Sequence, residues 1–87
     1  MTTLSGRVTL SGDEPARSAV VELHNASDDV VDQVQVDDDG LYRYHVSPAT
    51  WKLRAWDARG YAARAETTVG QGENKRLDIE LGTKEVR

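Results

Sequence analysis

Residues 38–55 constrain this chain more than any other stretch. They read Asp38-Asp39-Gly40-Leu41-Tyr42-Arg43-Tyr44-His45-Val46, then Ser47-Pro48-Ala49-Thr50-Trp51-Lys52-Leu53-Arg54-Ala55. Tyr42, Tyr44 and Val46 alternate with polar or charged neighbours, and Trp51, Leu53 and Ala55 repeat the alternation. Successive side chains of an extended strand point to opposite faces. Each run therefore reads as a strand with one face in a core and the other toward water. Asp39-Gly40 marks a reversal, because glycine accepts the positive φ that tight turns demand. Tyr42, Tyr44 and Trp51 share the parity of Val46 and Leu53, which assigns them to the interior rather than to a ligand.

Five further segments follow the same logic. Leu4 to Leu10 puts Leu4, Val8 and Leu10 on one face and ends at Ser11-Gly12-Asp13-Glu14-Pro15. Ala19 to Asn25 buries Ala19, Val21 and Leu23 and exposes Glu22 and His24. Val30 to Val36 turns Val34 and Val36 inward. Tyr61 to Val69 follows the turn Asp57-Ala58-Arg59-Gly60, although its alanines are weak strand formers. Lys75 to Leu81 directs Leu77, Ile79 and Leu81 inward. No segment has helical periodicity. Seven short strands separated by turn signals predict an all-β sandwich or small barrel. Eighty-seven residues suffice for one core, so residues 1–82 are expected to form one domain and residues 83–87 a frayed tail.

Several of these residues carry a resemblance. Gly6-Arg7-Val8, Pro15, Ala19-Val20-Val21-Glu22-Leu23, Asp39-Gly40-Leu41-Tyr42-Arg43-Tyr44, Trp51-Lys52-Leu53-Arg54-Ala55 and Gly60-Tyr61 resemble the carboxypeptidase regulatory-like domains. Those belong to the wider transthyretin-like (prealbumin-like) group of seven-stranded Greek-key β-sandwiches. The chain is most similar there to small stand-alone actinobacterial proteins whose middle reads Gly-x-Phe-x-Phe, then Pro-Gly-x-Trp-x-Leu-Arg-Ala. Pro48-Ala49 stands where those proteins carry Pro-Gly. The resemblance spans nearly the whole chain and implies the fold. It says little about activity, because the group hosts accessory domains, transport proteins and a few enzymes, and function resides in sites rather than folds.

Charge and composition narrow the function classes. Fifteen acidic against eleven basic residues leave a net charge of −4. That balance argues against nucleic acid as a partner, since phosphate binding depends on Lys and Arg. The absence of cysteine fits a reducing compartment. Met1 to Arg7 does not read as a signal peptide, and no window approaches the roughly 20 apolar residues of a membrane span. The expectation is a soluble, cytoplasmic bacterial protein without a membrane partner, secreted only if it is excised from a longer parent.

Each candidate site also has a plainer reading. Asp37-Asp38-Asp39-Gly40 has calcium-like composition, but four consecutive residues alternate sides and cannot surround an ion. A solvated turn explains it better. His24 and His45 are the only histidines, both at outward positions, and nothing completes a zinc set. No metal and no cofactor are expected. Transthyretin-related hydroxyisourate hydrolases would need two histidines with an arginine and a terminal Tyr-Arg-Gly-Ser. This chain ends Gly82-Thr83-Lys84-Glu85-Val86-Arg87. No nucleophile elbow or phosphate loop is present. The expected activity is non-catalytic.

One surface departs from the acidic average. If the fourth and fifth strands pair directly, Arg43 and His45 lie near Lys52 and Arg54, with Trp56 and Leu41 at the ends. Like charges set opposite one another are destabilising unless neutralised. An indole beside guanidiniums can stack on a sugar or on a partner's side chain. Arg43, Lys52, Arg54 and Trp56 are thus the candidate contact residues for a protein partner, a carbohydrate or a small anion. The plainer alternative is that Glu22, Glu66 or another carboxylate pairs with these cations while their stems cover Trp56. A further expectation is a monomer or a weak homo-oligomer built through an open edge strand.

Overall fold

A computed structural model describes residues 2–10, 14–81 and 83–84. Among them are nine strand segments and no helix. These are β1 (Thr3–Leu10), β2 (Val20–His24), β3 (Val30–Gln35), β4 (Leu41–His45), β5 (Ala49–Trp56), β6 (Tyr61–Val69), β7 (Asn74–Arg76), β8 (Ile79–Leu81) and β9 (Thr83–Lys84). They form two sheets. One runs β4-β1-β7, with β8 also on β1; the other runs β3-β2-β5-β6-β9. The fold is the expected transthyretin-like β-sandwich.

The strand count differs from the expected seven for two reasons. β7 and β8 both run parallel to β1 in one register, Leu4 opposite Lys75 and Val8 opposite Ile79. They are one strand position, interrupted at Leu77-Asp78. Gly6 permits the interruption: a Cβ there would be driven into the Leu77 carbonyl. Tyr42, directly opposite Gly6, donates its hydroxyl proton to that same carbonyl oxygen. The ladder is patched on either side. Leu77 N–H donates to the Ser5 carbonyl (2.8 Å), and the Asp78 carboxylate accepts from Arg7 N–H (2.9 Å). The added position is β9, where Thr83 and Lys84 pair with Ala62 and Tyr61. That pairing lies in the tail expected to fray; residues 85–87 fall outside the described residues, as do 11–13 of the first expected turn.

The larger correction concerns β4 and β5, which do not form a hairpin. β4 pairs with β1, whereas β5 sits between β2 and β6. Residues 46–48 therefore carry the chain from one sheet to the other. Val46 N–H donates to the Thr2 carbonyl (3.2 Å), and the Trp51 indole N–H donates to the Ser47 carbonyl (2.9 Å), pinning both ends of the crossing.

Alternation predicts the interior well. Leu4, Val8, Tyr42, Tyr44, Ile79 and Leu81 are buried from one sheet. Val21, Leu23, Trp51, Leu53, Ala55 and Val69 are buried from the other. Both buried tyrosines satisfy their hydroxyls, Tyr44 by donating to the Val21 carbonyl (2.6 Å). An orphaned hydroxyl at these positions would be costly.

Three connections share one turn. Asn25, Asp37 and Asp57 each accept, through one side-chain oxygen, the N–H groups two and four residues on (2.9–3.0 Å). The fourth residue of each turn has positive φ: Asp28 (65°), Gly40 (80°) and Gly60 (93°). Asp37 and Asp39 thus serve a turn, as the plainer reading of the aspartate run holds.

Candidate functional site

The outer face of the five-stranded sheet is an ordered grid, set by the register of β2, β5 and β6. In one row Glu22 lies opposite Arg54, which lies opposite Arg64. In the next, His24 faces Lys52, which faces Glu66. In a third, Val20 faces Trp56, which faces Ala62. These residues share a face because each is separated by two from the next along its strand.

Geometry divides the cations. Lys52 Nζ is 3.0 Å from Asp28 Oδ1, so the turn before β3 neutralises it. His24 Nε2 lies 2.6 Å from Glu22 Oε1, while its Nδ1 is 3.3 Å from the Asp28 carbonyl oxygen. Arg54 stacks over Trp56, its guanidinium carbon 5.4 Å from the ring centroid. Arg64 is exposed and faces Arg54 across the ladder. An open depression of about 630 Å³ lies here, lined by His24, Asp28, Lys52, Arg54, Arg64 and Glu66 among others. Two arginines opposite one another in the ladder, one of them stacked on a half-buried indole, can together hold a carboxylate or another oxyanion, with the indole edge beside it for an apolar group.

Three of the four sequence candidates, Lys52, Arg54 and Trp56, meet on this face. Arg43 does not join them. It projects from the exposed side of β4, in the other sheet, and lines a smaller depression of about 400 Å³ with Leu41, Asp37 and Arg76. The expected contact between Arg43 and Lys52 or Arg54 required a β4–β5 hairpin, and the crossing between sheets removes it. His45 stays with Arg43 on β4, so His24 and His45 lie in different sheets and do not converge as the hydrolase alternative requires. Arg64 was missed. Its signal was parity with Glu66 on a weak alanine-rich strand, legible only once β6 is known to lie beside β5. Among the described residues no group of three or more His, Asp or Glu is placed to hold a metal ion.

The family model for the carboxypeptidase regulatory-like domain matches residues 3–82, which is the whole sandwich up to β8. The chain belongs to that family. No curated protein matches the domain. Solved structures with the same fold include the Bacillus anthracis TIE protein (TM-score 0.67, 12% identity) and a DUF3823 family protein from Bacteroides ovatus (TM-score 0.65, 20% identity). The former match covers 94% of the domain and 16% of its counterpart; the latter covers 92% and 43%. The domain therefore spans less than half of either protein. At these identities the likeness is one of fold.

Proposed function

We propose that the domain is a non-catalytic binding module whose contact surface is the outer face of β5 and β6. Lys52, Arg54, Arg64 and Trp56 are its contact residues, and its ligand carries an anionic group next to a flat ring or apolar patch. The observation that carries this reading is Arg54 set directly opposite Arg64 with its guanidinium over Trp56. Two guanidinium groups on one face give a carboxylate or other oxyanion several charge-assisted donors at once. Arg and Trp are also enriched among residues that dominate binding energies. Arg43 is not part of this surface.

The test is a titration of glucuronate, citrate and neutral glucose, read at the Trp56 indole N–H in nitrogen–proton spectra. The two anions shift that signal and glucose does not. Arg54→Glu and Trp56→Ala each weaken the anions by roughly tenfold, the equivalent of about 1.4 kcal/mol. If neither substitution alters any interaction of the wild-type domain, the assigned surface is wrong.

A further inference from the structure

We infer that the free edge of β3 is a docking strand for an extended, cationic segment of another protein, which adds to the five-stranded sheet as a sixth strand. This surface is independent of the Arg54–Arg64 face. β3 pairs only with β2 and ends the sheet order, so its other edge meets no strand among the described residues. Val36 N–H donates to the Ala19 carbonyl (3.0 Å), which makes Val36 and Ala19 a hydrogen-bonded pair. Such pairs alternate along an antiparallel ladder. Val34 and Asp32 therefore also face β2, and Gln33 and Gln35 direct their N–H and C=O groups to the open side.

The contact that Gln33 makes agrees. Its N–H donates to the carboxylate of its own neighbour, Asp32 Oδ1, at 2.7 Å. Asp32 is thus a removable cap on an outward donor. Beside it, Val30 and Val31 are 57% and 52% exposed, two of the three large apolar side chains so exposed among the described residues. Val31 is the bulged residue, since Leu23 pairs with Asp32 and His24 with Val30. β3 carries no Lys, Arg or Pro; what blunts this edge is its bulge and the carboxylate of Asp32, and that carboxylate repels another acidic edge but not a cationic segment.

Charge selects the occupant. Between Ser18 and Tyr42 the chain has seven acidic residues and no Lys or Arg, while the rest carries eleven basic against eight acidic. A second copy of β3 would bring two such acidic edges into register, which like-charge repulsion opposes. An extended segment alternating Lys or Arg with apolar residues fits better. Its main chain pairs with Gln33 and Gln35, its apolar side chains cover Val30 and Val31, and its cations meet Asp32 and the flanking aspartates.

The probe is an acetylated, amidated Lys-Val-Lys-Val-Lys-Val peptide, with a Glu-Val-Glu-Val-Glu-Val control. The cationic peptide is expected to bind, to slow hydrogen exchange at the Gln33 and Gln35 amides, and to weaken with added salt. Gln33→Pro deletes only an outward donor, which an edge strand tolerates, and should weaken the peptide by about tenfold, the loss of one main-chain hydrogen bond. Gln33→Ala keeps the donor and should bind as wild type. Asp32→Asn keeps a capping oxygen but removes the charge, and should weaken the cationic peptide while leaving the fold intact. Equal binding of both peptides, no binding of either, protection mapped to β5 and β6 instead, or indifference to Gln33→Pro in a folded variant would each overturn the proposal. So would sedimentation showing that a second copy already occupies this edge.

Discussion

Asp57 shows how much one turn residue does. Its carboxylate is almost wholly buried, with one oxygen accepting from Arg59 N–H and Tyr61 N–H (3.0 Å each). The other oxygen meets the Arg59 guanidinium (3.0 Å), which lies over the Tyr61 ring with its central carbon 5.1 Å from the centroid. Asn25 performs the same two-donor role with an amide oxygen, so charge is not what the turn requires. Asp57→Asn is therefore expected to cost about 1 kcal/mol, the difference between a charged and a neutral acceptor. Asp57→Ala strands two inward-facing N–H groups and should cost about 2–4 kcal/mol. Urea unfolding of the two variants checks this; equal losses would show that the ion pair with Arg59, not the turn, carries the effect. The candidate site repeats the lesson, because Lys52 has the same cationic side chain whether or not Asp28 is nearby. Only the positive-φ turn before β3 brings the carboxylate to it.

At the scale of elements, the break between β7 and β8 is the feature most open to test. The Leu77 carbonyl enters the space where Gly6 lacks a Cβ, and the Tyr42 hydroxyl holds it there. Gly6→Ala forces that carbonyl out and should cost about 1–3 kcal/mol, as overpacking does. Tyr42→Phe leaves the carbonyl without its donor and should cost about 1–3 kcal/mol. Both act through Leu77, so the double variant should lose less than the two losses added together. Strict additivity in a double-mutant cycle would refute the shared cause. The same element explains what the sequence could and could not reveal. Period-two alternation in Tyr42, Tyr44, Trp51 and Leu53 states which side of a strand is dry, and the structure agrees at each of these positions. Alternation does not state which strand lies alongside. Sequence order groups Arg43 with Lys52 and Arg54 because adjacent strands most often pair, and the crossing at residues 46–48 defeats that rule here. Likewise Lys75 to Leu81 alternates without a gap, and its interruption depends on a glycine some seventy positions earlier. Lys52, Arg54 and Trp56 were legible as a set since one strand carries all three; Arg64 was not, for it joins them only through the β5–β6 register.

At the scale of the whole molecule, two buried tyrosine hydroxyls set how the domain responds to alkali: Tyr44 bonds across the interior to the Val21 carbonyl of the facing sheet, and Tyr42 to the Leu77 carbonyl of its own. Burial pushes the Tyr42 phenol well above the ordinary tyrosine range, and the Asp78 carboxylate and neighbouring Tyr44 add to the effect against the opposing Arg76. Burial likewise raises Tyr44, helped by Asp32 and Glu22, while the Val34 backbone hydrogen bond opposes the shift. In the unfolded chain both phenols ionise near pH 10. The folded state therefore holds more protons than the unfolded one above that pH, and stability falls as pH rises. Below about pH 10 the contribution is fully present, so neither phenol perturbs folding at neutrality. Above it, each removes up to about 1.4 kcal/mol per pH unit. A domain of this size has on the order of 5 kcal/mol to lose, so two such groups suffice to unfold it roughly two pH units higher. We expect a cooperative alkaline transition in which loss of the β-sheet circular dichroism coincides with phenolate absorbance from Tyr42 and Tyr44. Tyr42→Phe should halve the pH slope while lowering stability at neutral pH. Ionisation of both phenols with the sheet signal unchanged would mean that the interior they occupy is open to water.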